Sequence, residues 1–268
     1  MVRDDFSANT IRSSLRTKFM GRQVFFYETL PTTMEVADEK AREGAPEGTA
    51  VVADHQTAGR GRFGRSWLSP KGGTIAVSII LRPRLEELPK LNMVASLGIA
   101  RSIERCCGLA PRIKWPNDVL VGRKKVSGIL ITSAFQRDRL EYATAGIGIN
   151  VNIGNRILSQ ISPPATSLYA ELGHTVSRLQ VFRSLMEELE ALYLSVRAGE
   201  SLLHLWEPYV ATLGQHVQVQ WRREDVEGYM ERGYAESVDE EGRLLLRLPD
   251  GTLKTLVAGE VTLQSEQP

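Results

Sequence analysis

Apolar residues follow two rhythms along the first 213 positions. Short β-prone runs stand at Val24-Phe25-Phe26-Tyr27, at Thr49–Ala53 and at Thr74–Leu81, the last ended by Pro83. Continuous apolar runs of this length, rich in β-branched residues, predict buried strands. Between them the spacing turns helical. Leu91, Val94, Ala95, Ile99 and Ile103 predict a helix over Leu88–Cys107, with Gly108 as its stop. Shorter helices are predicted at Ile11–Phe19 and at Thr32–Ala41, where a threonine cap precedes Glu35. Three more strands follow at Val119–Val121, Lys124–Ser133 and Glu141–Val151, then amphipathic helices at Leu179–Arg197 and Leu202–Leu213.

The texture changes at Gly214. Short strands at Val217–Trp221, Gly228–Val238, Leu244–Leu248 and Thr252–Val257 are predicted, with turns at Glu241-Gly242 and Asp250-Gly251. The pattern divides the chain into a short helical segment (residues 1–20), a larger mixed domain (21–213) and a small β-barrel (214–268). The fold class is α+β, a mixed sheet flanked by helices followed by a barrel.

Composition narrows the function. The chain has 268 residues, 42% hydrophobic and 24% charged, with a net charge of +1; these are ordinary values for a globular protein, and they argue against a general polyanion binder. The charge is unevenly spread: from Gln215 onward it is −5, which leaves the first 214 residues at +6. No apolar run reaches the ~18 residues that span a membrane, and Met1–Asp5 lacks the apolar core of a signal peptide. The only cysteines, Cys106 and Cys107, are adjacent; they form no disulfide framework, fit a helix with at least one of them buried, and point to the cytoplasm. The four histidines show no metal spacing, and phosphate-loop and dinucleotide fingerprints are absent.

The positive charge has a focus. Between Asp54 and Trp67 three glycines (Gly59, Gly61, Gly64) alternate with three arginines (Arg60, Arg62, Arg65). Neighbouring guanidinium groups repel by roughly 0.5–1 kcal/mol per pair in water. Such a loop is either solvated, or held around an anion that suits the arginine fork. It directly follows a buried strand and ends in an aromatic, which favours a ligand loop over a basic turn or an RNA-binding arginine segment. Its glycines and its repulsion predict disorder without ligand and closure over one.

Three further motifs follow. Lys114-Trp115-Pro116-Asn117-Asp118 holds Trp115 extended before proline, making a turn that presents Asn117 and Asp118 at a strand start; an Asx turn is the plainer reading. If Gly122-Arg123 is a two-residue hairpin turn, Leu120 faces Lys125, Asp118 faces Ser127 and Gly128 faces Asn117. Lys125 then shares a face with Asp118, Leu120 and Ser127, and Lys124 points away; a one-residue slip would exchange the lysines. Gly146 and Gly148 open one strand face for close approach.

Together, Gly59–Trp67, Lys114–Asp118, Lys125-Val-Ser-Gly-Ile-Leu130 and Gly146-Ile-Gly-Ile-Asn150 closely resemble the biotin protein ligase family, in order and approximate spacing, over about residues 10–265. The resemblance implies a catalytic sheet related to lipoate ligases with an SH3-like C-terminal barrel. It implies an ATP-dependent enzyme that makes biotinyl-5′-AMP and passes biotin to a lysine of a biotin carboxyl carrier domain. Magnesium enters with the ATP phosphates rather than at a dedicated protein site. Longer members carry an N-terminal DNA-binding domain; this chain reads as the enzyme-only class, with neither DNA nor membrane among its partners and room for a homodimer.

By similarity, Arg60, Arg62 and Lys125 gather around the biotin carboxylate and α-phosphate. Lys114, Arg65 and Asn117 serve the ATP phosphates, and Trp67 and Asn150 fall where adenine is handled. Thr32, Thr33 and Gln56 fall at the biotin site, where Thr33 and Gln56 bind the ureido ring, while Gly59, Gly128, Gly146 and Gly148 let the backbone close on the ligand. Asp118 is the group to orient or deprotonate the incoming lysine. One departure stands out: where the family usually has Ser-Thr-Asn, this chain has Thr32-Thr33-Met34, which keeps the hydroxyls and loses an amide. Two other readings are a lipoate-type ligase on the same fold and a non-enzymatic nucleic-acid-binding module; with aromatics at 7%, the second is short of stacking platforms.

Overall fold

A computed structural model describes residues 6–161, 164–223 and 226–263. The outermost parts of the two terminal segments, 1–5 and 264–268, lie outside the described residues, as does the start that was read for a signal peptide. From the N-terminus the elements are α1 (Ala8–Ser14), β1 (Val24–Leu30), α2 (Thr33–Arg42), β2 (Ala50–Gln56), β3 (Thr74–Leu81), α3 (Leu91–Cys107), β4 (Pro111–Lys114), β5 (Asp118–Val121), β6 (Lys124–Gln136) and β7 (Arg139–Asn150). Then come α4 (Asn155–Leu158), α5 (Leu168–Leu172), α6 (Arg178–Arg197) and α7 (Leu203–Trp206), and finally β8 (His216–Arg223), β9 (Val226–Val238), β10 (Leu244–Arg247), β11 (Leu253–Leu256) and β12 (Glu260–Leu263).

Strands β1 to β7 form one mixed sheet in the order β1-β2-β3-β7-β6-β5-β4, parallel only between β1 and β2. Its two faces differ in side-chain size. One carries Ile75, Val77, Ile79, Ile129, Ile147 and Ile149, packed with α3 and α6 into the main core. The other carries a row of small residues, Ala53, Ala76, Gly148 and Gly128, paired strand to strand and ending at Asp118. Side chains alternate between faces, so β7 supplies branched residues to the core and glycines to the opposite side. Helix α2 covers part of that second face through a small cluster of Ala37, Ala41, Val51, Ile80 and Tyr142. The rest of the small-residue face is a floor with space above it.

Several elements form as predicted. Thr32 caps α2, its hydroxyl accepting from the Met34 N–H, with Glu35 in the first turn. Gly108 ends α3 in the left-handed conformation at φ 62°. Other expectations need correction. The helix predicted over Ile11–Phe19 stops at Ser14, because the amides of Lys18, Phe19 and Met20 turn onto the buried carboxylate of Glu190 on α6. The predicted helix Leu202–Leu213 shrinks to α7 and one 3-10 turn over Glu207–Tyr209. Beyond it Val210 is extended and bridges Ile113, and Thr212 receives the N–H of Trp115, so this stretch covers the outer edge of β4 instead. Both cysteines end α3, half-buried rather than buried; burial raises both thiols, Cys107 to about 11.

The C-terminal strands make an antiparallel sheet in the order β11-β10-β9-β8-β12. Gly242 and Gly251 take φ 75° and 86° at the two predicted turns. Strand β12 has no counterpart in the sequence reading; it pairs with β8. It also brings Gly259 and Glu260 to the arginine/glycine stretch beside the seven-stranded sheet.

Candidate functional site

Two adjoining cavities lie on the small-residue face. The first, about 50 Å³, is lined by Thr32, Thr33, Met34, Gln56, Arg60, Val77, Ile129, Leu130, Gly146, Ile147, Gly148 and Gly128. The second, about 480 Å³, is lined among others by Phe63, Arg65, Lys114, Asp118, Asn150, Gln160, Ile161, Gly259 and Glu260. Gly61, Arg62, Trp67, Asn117 and Lys125 belong to both. A small compartment therefore opens into a larger one across a boundary that holds two cations.

The hairpin β5–β6 sets that boundary, and its register departs from the one predicted. Leu120 pairs with Lys125, as expected, but Val119 pairs with Ser127 and Asp118 with Gly128. The shift is a bulge at Val126, which inserts one residue into β6. Ser127 consequently turns to the buried side, its hydroxyl donating to the Gly148 carbonyl at 2.6 Å. Gly128 takes the place expected of Ser127, on the same face as Lys125 and Asp118. The Lys125 ammonium lies 2.6 Å from the Asp118 carboxylate. Segment 164–166 fixes the Lys125 backbone, since its N–H donates to the Pro164 carbonyl and its carbonyl accepts from Thr166.

The arginine/glycine stretch is a short hairpin in the structure, whereas its repulsion predicted disorder. Gly61 N–H donates to the Arg65 carbonyl and Trp67 N–H to that of Gly59. Phe63 and Gly64 make its tip, both at positive φ (57° and 71°). Each arginine goes to its own partner, which relieves the repulsion. Arg60 pairs with Glu35 at 2.5 Å and is 62% exposed, while still lining the first cavity. Arg62 donates to Asn117 Oδ1 at 2.7 Å and to the Gly259 carbonyl at 3.2 Å. Arg65 pairs with Glu260 at 2.6 Å. Burial pulls the Arg62 guanidinium below its ordinary range, with Asp118 and Glu260 working the other way. Lys114 is lowered in the same manner, by burial first and against the pull of Asp118.

Trp67 lies flat on the floor. A Cβ on Gly148 would come within 2.3 Å of the indole, and one on Gly128 within 3.2 Å. Lys125 Nζ sits 5.7 Å from the indole ring, within cation–π range. The buried indole Nε1 has no hydrogen-bond partner among the described residues. Gly59 lines neither cavity; a Cβ there would meet the Trp67 carbonyl at 2.5 Å, so it lets the two arms of the hairpin close together.

At the far end of the first cavity the polar groups are linked. Gln56 Oε1 accepts from the Thr33 N–H at 2.8 Å and hydroxyl at 3.2 Å, and the Thr33 and Ser78 hydroxyls share a bond of 2.7 Å. In the second, the buried Asn150 donates its Nδ2 to the Thr166 carbonyl. Ser78, Gly259, Glu260, Gln160 and Ile161 were missed by the sequence reading. Ser78 alone had a signal, as the one serine in the apolar run of β3; the barrel pair had none.

Residues 26–150 match the Biotin/lipoate A/B protein ligase family and residues 212–263 the Biotin protein ligase C terminal domain. The bifunctional ligase/repressor BirA of Bacillus subtilis is 36% identical over 262 residues, covering 96% of this chain and 79% of that protein. The biotin–[acetyl-CoA-carboxylase] ligase of Paracoccus denitrificans is 34% identical over 221 residues, covering 79% and 88%. Among solved structures, biotin protein ligase from Aquifex aeolicus in complex with biotin and ATP superposes with a TM-score of 0.74 at 28% identity, covering 91% of this chain and 99% of that one. With both of its sheets matched and relatives above 30% identity along most of their length, the chain belongs to the biotin protein ligase family.

Proposed function

We propose that the first cavity takes biotin, the second takes ATP, and the boundary between them is where the acyl-adenylate forms. The activity is that of the family, an ATP-dependent biotin–[acetyl-CoA-carboxylase] ligase. The observation that carries the division is that two cavities of unequal size meet at Lys125 and Arg62. Adenylation joins two anions, the biotin carboxylate and the α-phosphate, and fixed cations at their meeting point count most in the transition state. The carboxylate oxygen attacks the α-phosphorus and pyrophosphate leaves.

Residue roles follow from position. Thr33, with the threonine at 32 and Gln56, holds the polar ring of biotin, and Gly128, Gly146 and Gly148 bring the backbone against it. Lys125 and Arg62 stabilise the developing charge. Arg60 joins them only by leaving Glu35, an exposed pair worth about 0–1 kcal/mol, so the exchange costs little. Lys114, Arg65 and Asn117 hold the phosphates, and Trp67 and Asn150 the adenine, once the indole has moved off Gly148. Asp118 is held by Lys125 until the carboxylate and phosphate arrive; it then becomes available to orient or deprotonate the acceptor lysine of the carrier domain.

Magnesium would arrive on the triphosphate. The carboxylates lining the second cavity, Asp118 and Glu260, each hold a cation already, which fits an ion bound through phosphate oxygens. Residues 21–213 then form the catalytic unit, and the barrel contributes Gly259 and Glu260 to the nucleotide side. Transfer of radiolabelled biotin to a carrier domain, with ATP and Mg²⁺ present or omitted, tests the reading; label transfer that survives without ATP would overturn it.

A further inference from the structure

Met34 stands at the first cavity without a role in the scheme above. It follows the cap of α2 and is half-buried. Its thioether rests on the floor: a Cβ on Gly146 would lie 2.5 Å from Sδ and 3.3 Å from Cγ. The linked groups Thr33, Gln56 and Ser78 make one end of the cavity polar, while Met34 and Leu130 line the rest with apolar surface. Leu130 is fixed in a strand. Met34 is at a helix end, and its unbranched side chain fills irregular gaps and favours contact with polarisable groups.

Biotin has the same two-sided character. Its ureido ring is polar, and the fused sulfur ring beside it is not. If the first cavity is the biotin site, as proposed above, the polar end accounts for the ureido ring and the sulfur ring falls to the apolar wall. We propose that Met34 is a specificity-determining residue that reads the sulfur ring. Packed against the glycine floor, its thioether favours an acid carrying that ring over one that has only the ureido group and the acyl chain. Loss of a few apolar contacts in a closed site is worth ~10–200-fold in discrimination, so one side chain can set the preference.

The test compares biotin with dethiobiotin, which keeps the ureido ring and acyl chain and lacks the sulfur ring, in acid-dependent ATP–pyrophosphate exchange. The native chain should favour biotin in KM. Met34→Ala should reduce the KM ratio of dethiobiotin to biotin by about tenfold, and Met34→Leu, which keeps the volume, should hold it within about twofold of native. Thermal melts of each variant establish folding. A ratio unchanged in Met34→Ala, with the two KM values moving together, would mean that Met34 only packs against Gly146, and the inference is lost. Thr33→Val separates this from failure of the cavity assignment. A raised KM for both acids upholds the assignment, and an unchanged biotin KM overturns it together with the inference.

Discussion

The ammonium of Lys125 and the carboxylate of Asp118 lie 2.6 Å apart on paired strands, and the bulge at Val126 puts both over Gly128. The pair is about three-quarters buried at each end (25% and 20% exposed). In the proposed scheme it stores a cation for the first half-reaction and a carboxylate for the second, each neutralising the other in between. Lys125→Ala should therefore lower single-turnover formation of biotinyl-AMP by ~10²-fold or more, with the fold intact. Asp118→Asn should slow transfer to the carrier more than adenylation. Equal losses in the two half-reactions would show that Asp118 acts only through Lys125.

The glycine floor gives a second prediction. Gly148→Ala drives a methyl into the Trp67 indole. Since the helix-packed core lies on the other face, the chain should still fold, with the indole displaced. Biotin affinity by calorimetry should fall at least about tenfold, the scale of steric loss in a closed pocket, and tryptophan fluorescence should shift in the ligand-free protein. Unchanged affinity would mean that biotin does not cross Gly148.

Lys114 predicts a pH dependence. Burial lowers its ammonium below the ordinary lysine range, so the free enzyme loses that proton at a lower pH than an exposed lysine would. A phosphate contact needs the charged form. The kcat/KM for ATP should then fall as pH rises through the lowered value, while Lys114→Arg, charged throughout, extends the plateau to higher pH. If native enzyme and variant decline together, Lys114 is not the titrating group.

Arg178 occupies the first position of α6, where both burial and the helix dipole oppose a cation. Asp54 at 2.5 Å, the Thr74 carbonyl at 3.2 Å and the Phe6 ring, centred 4.7 Å away, support it. Asp54 also accepts the Gly72 N–H, so the pair ties the strand entering the arginine loop to the strand leaving it. Arg178→Met should destabilise the chain by about 3–5 kcal/mol in urea unfolding, because it leaves Asp54 buried and unpaired; adding Asp54→Asn should recover a large part of that loss. Additive losses in the double variant would argue against direct coupling.

Consecutive residues carried what depends on local spacing and shape. Strand β3 spans Thr74–Leu81 as its β-branched run predicted, Gly108 ends α3, and Gly242 and Gly251 make the barrel turns, since each follows from periodicity or from a backbone conformation that glycine accepts. The four motifs were also legible, because their chemistry lies in neighbouring positions. Tertiary structure decided what depends on register and on distant partners. Val126 bulges, and Gly128 rather than Ser127 comes to stand beside Lys125. Glu35 takes Arg60 at the edge of the first cavity, and Glu260, 195 residues along the chain, takes Arg65. The stretch after Trp206 has helical spacing yet keeps only one 3-10 turn before Val210 goes extended, since the edge of β4 takes its backbone groups. A side-chain period is written in the sequence; which strand slips, and which charge finds which, is settled only when the surfaces meet and compete for the same partners.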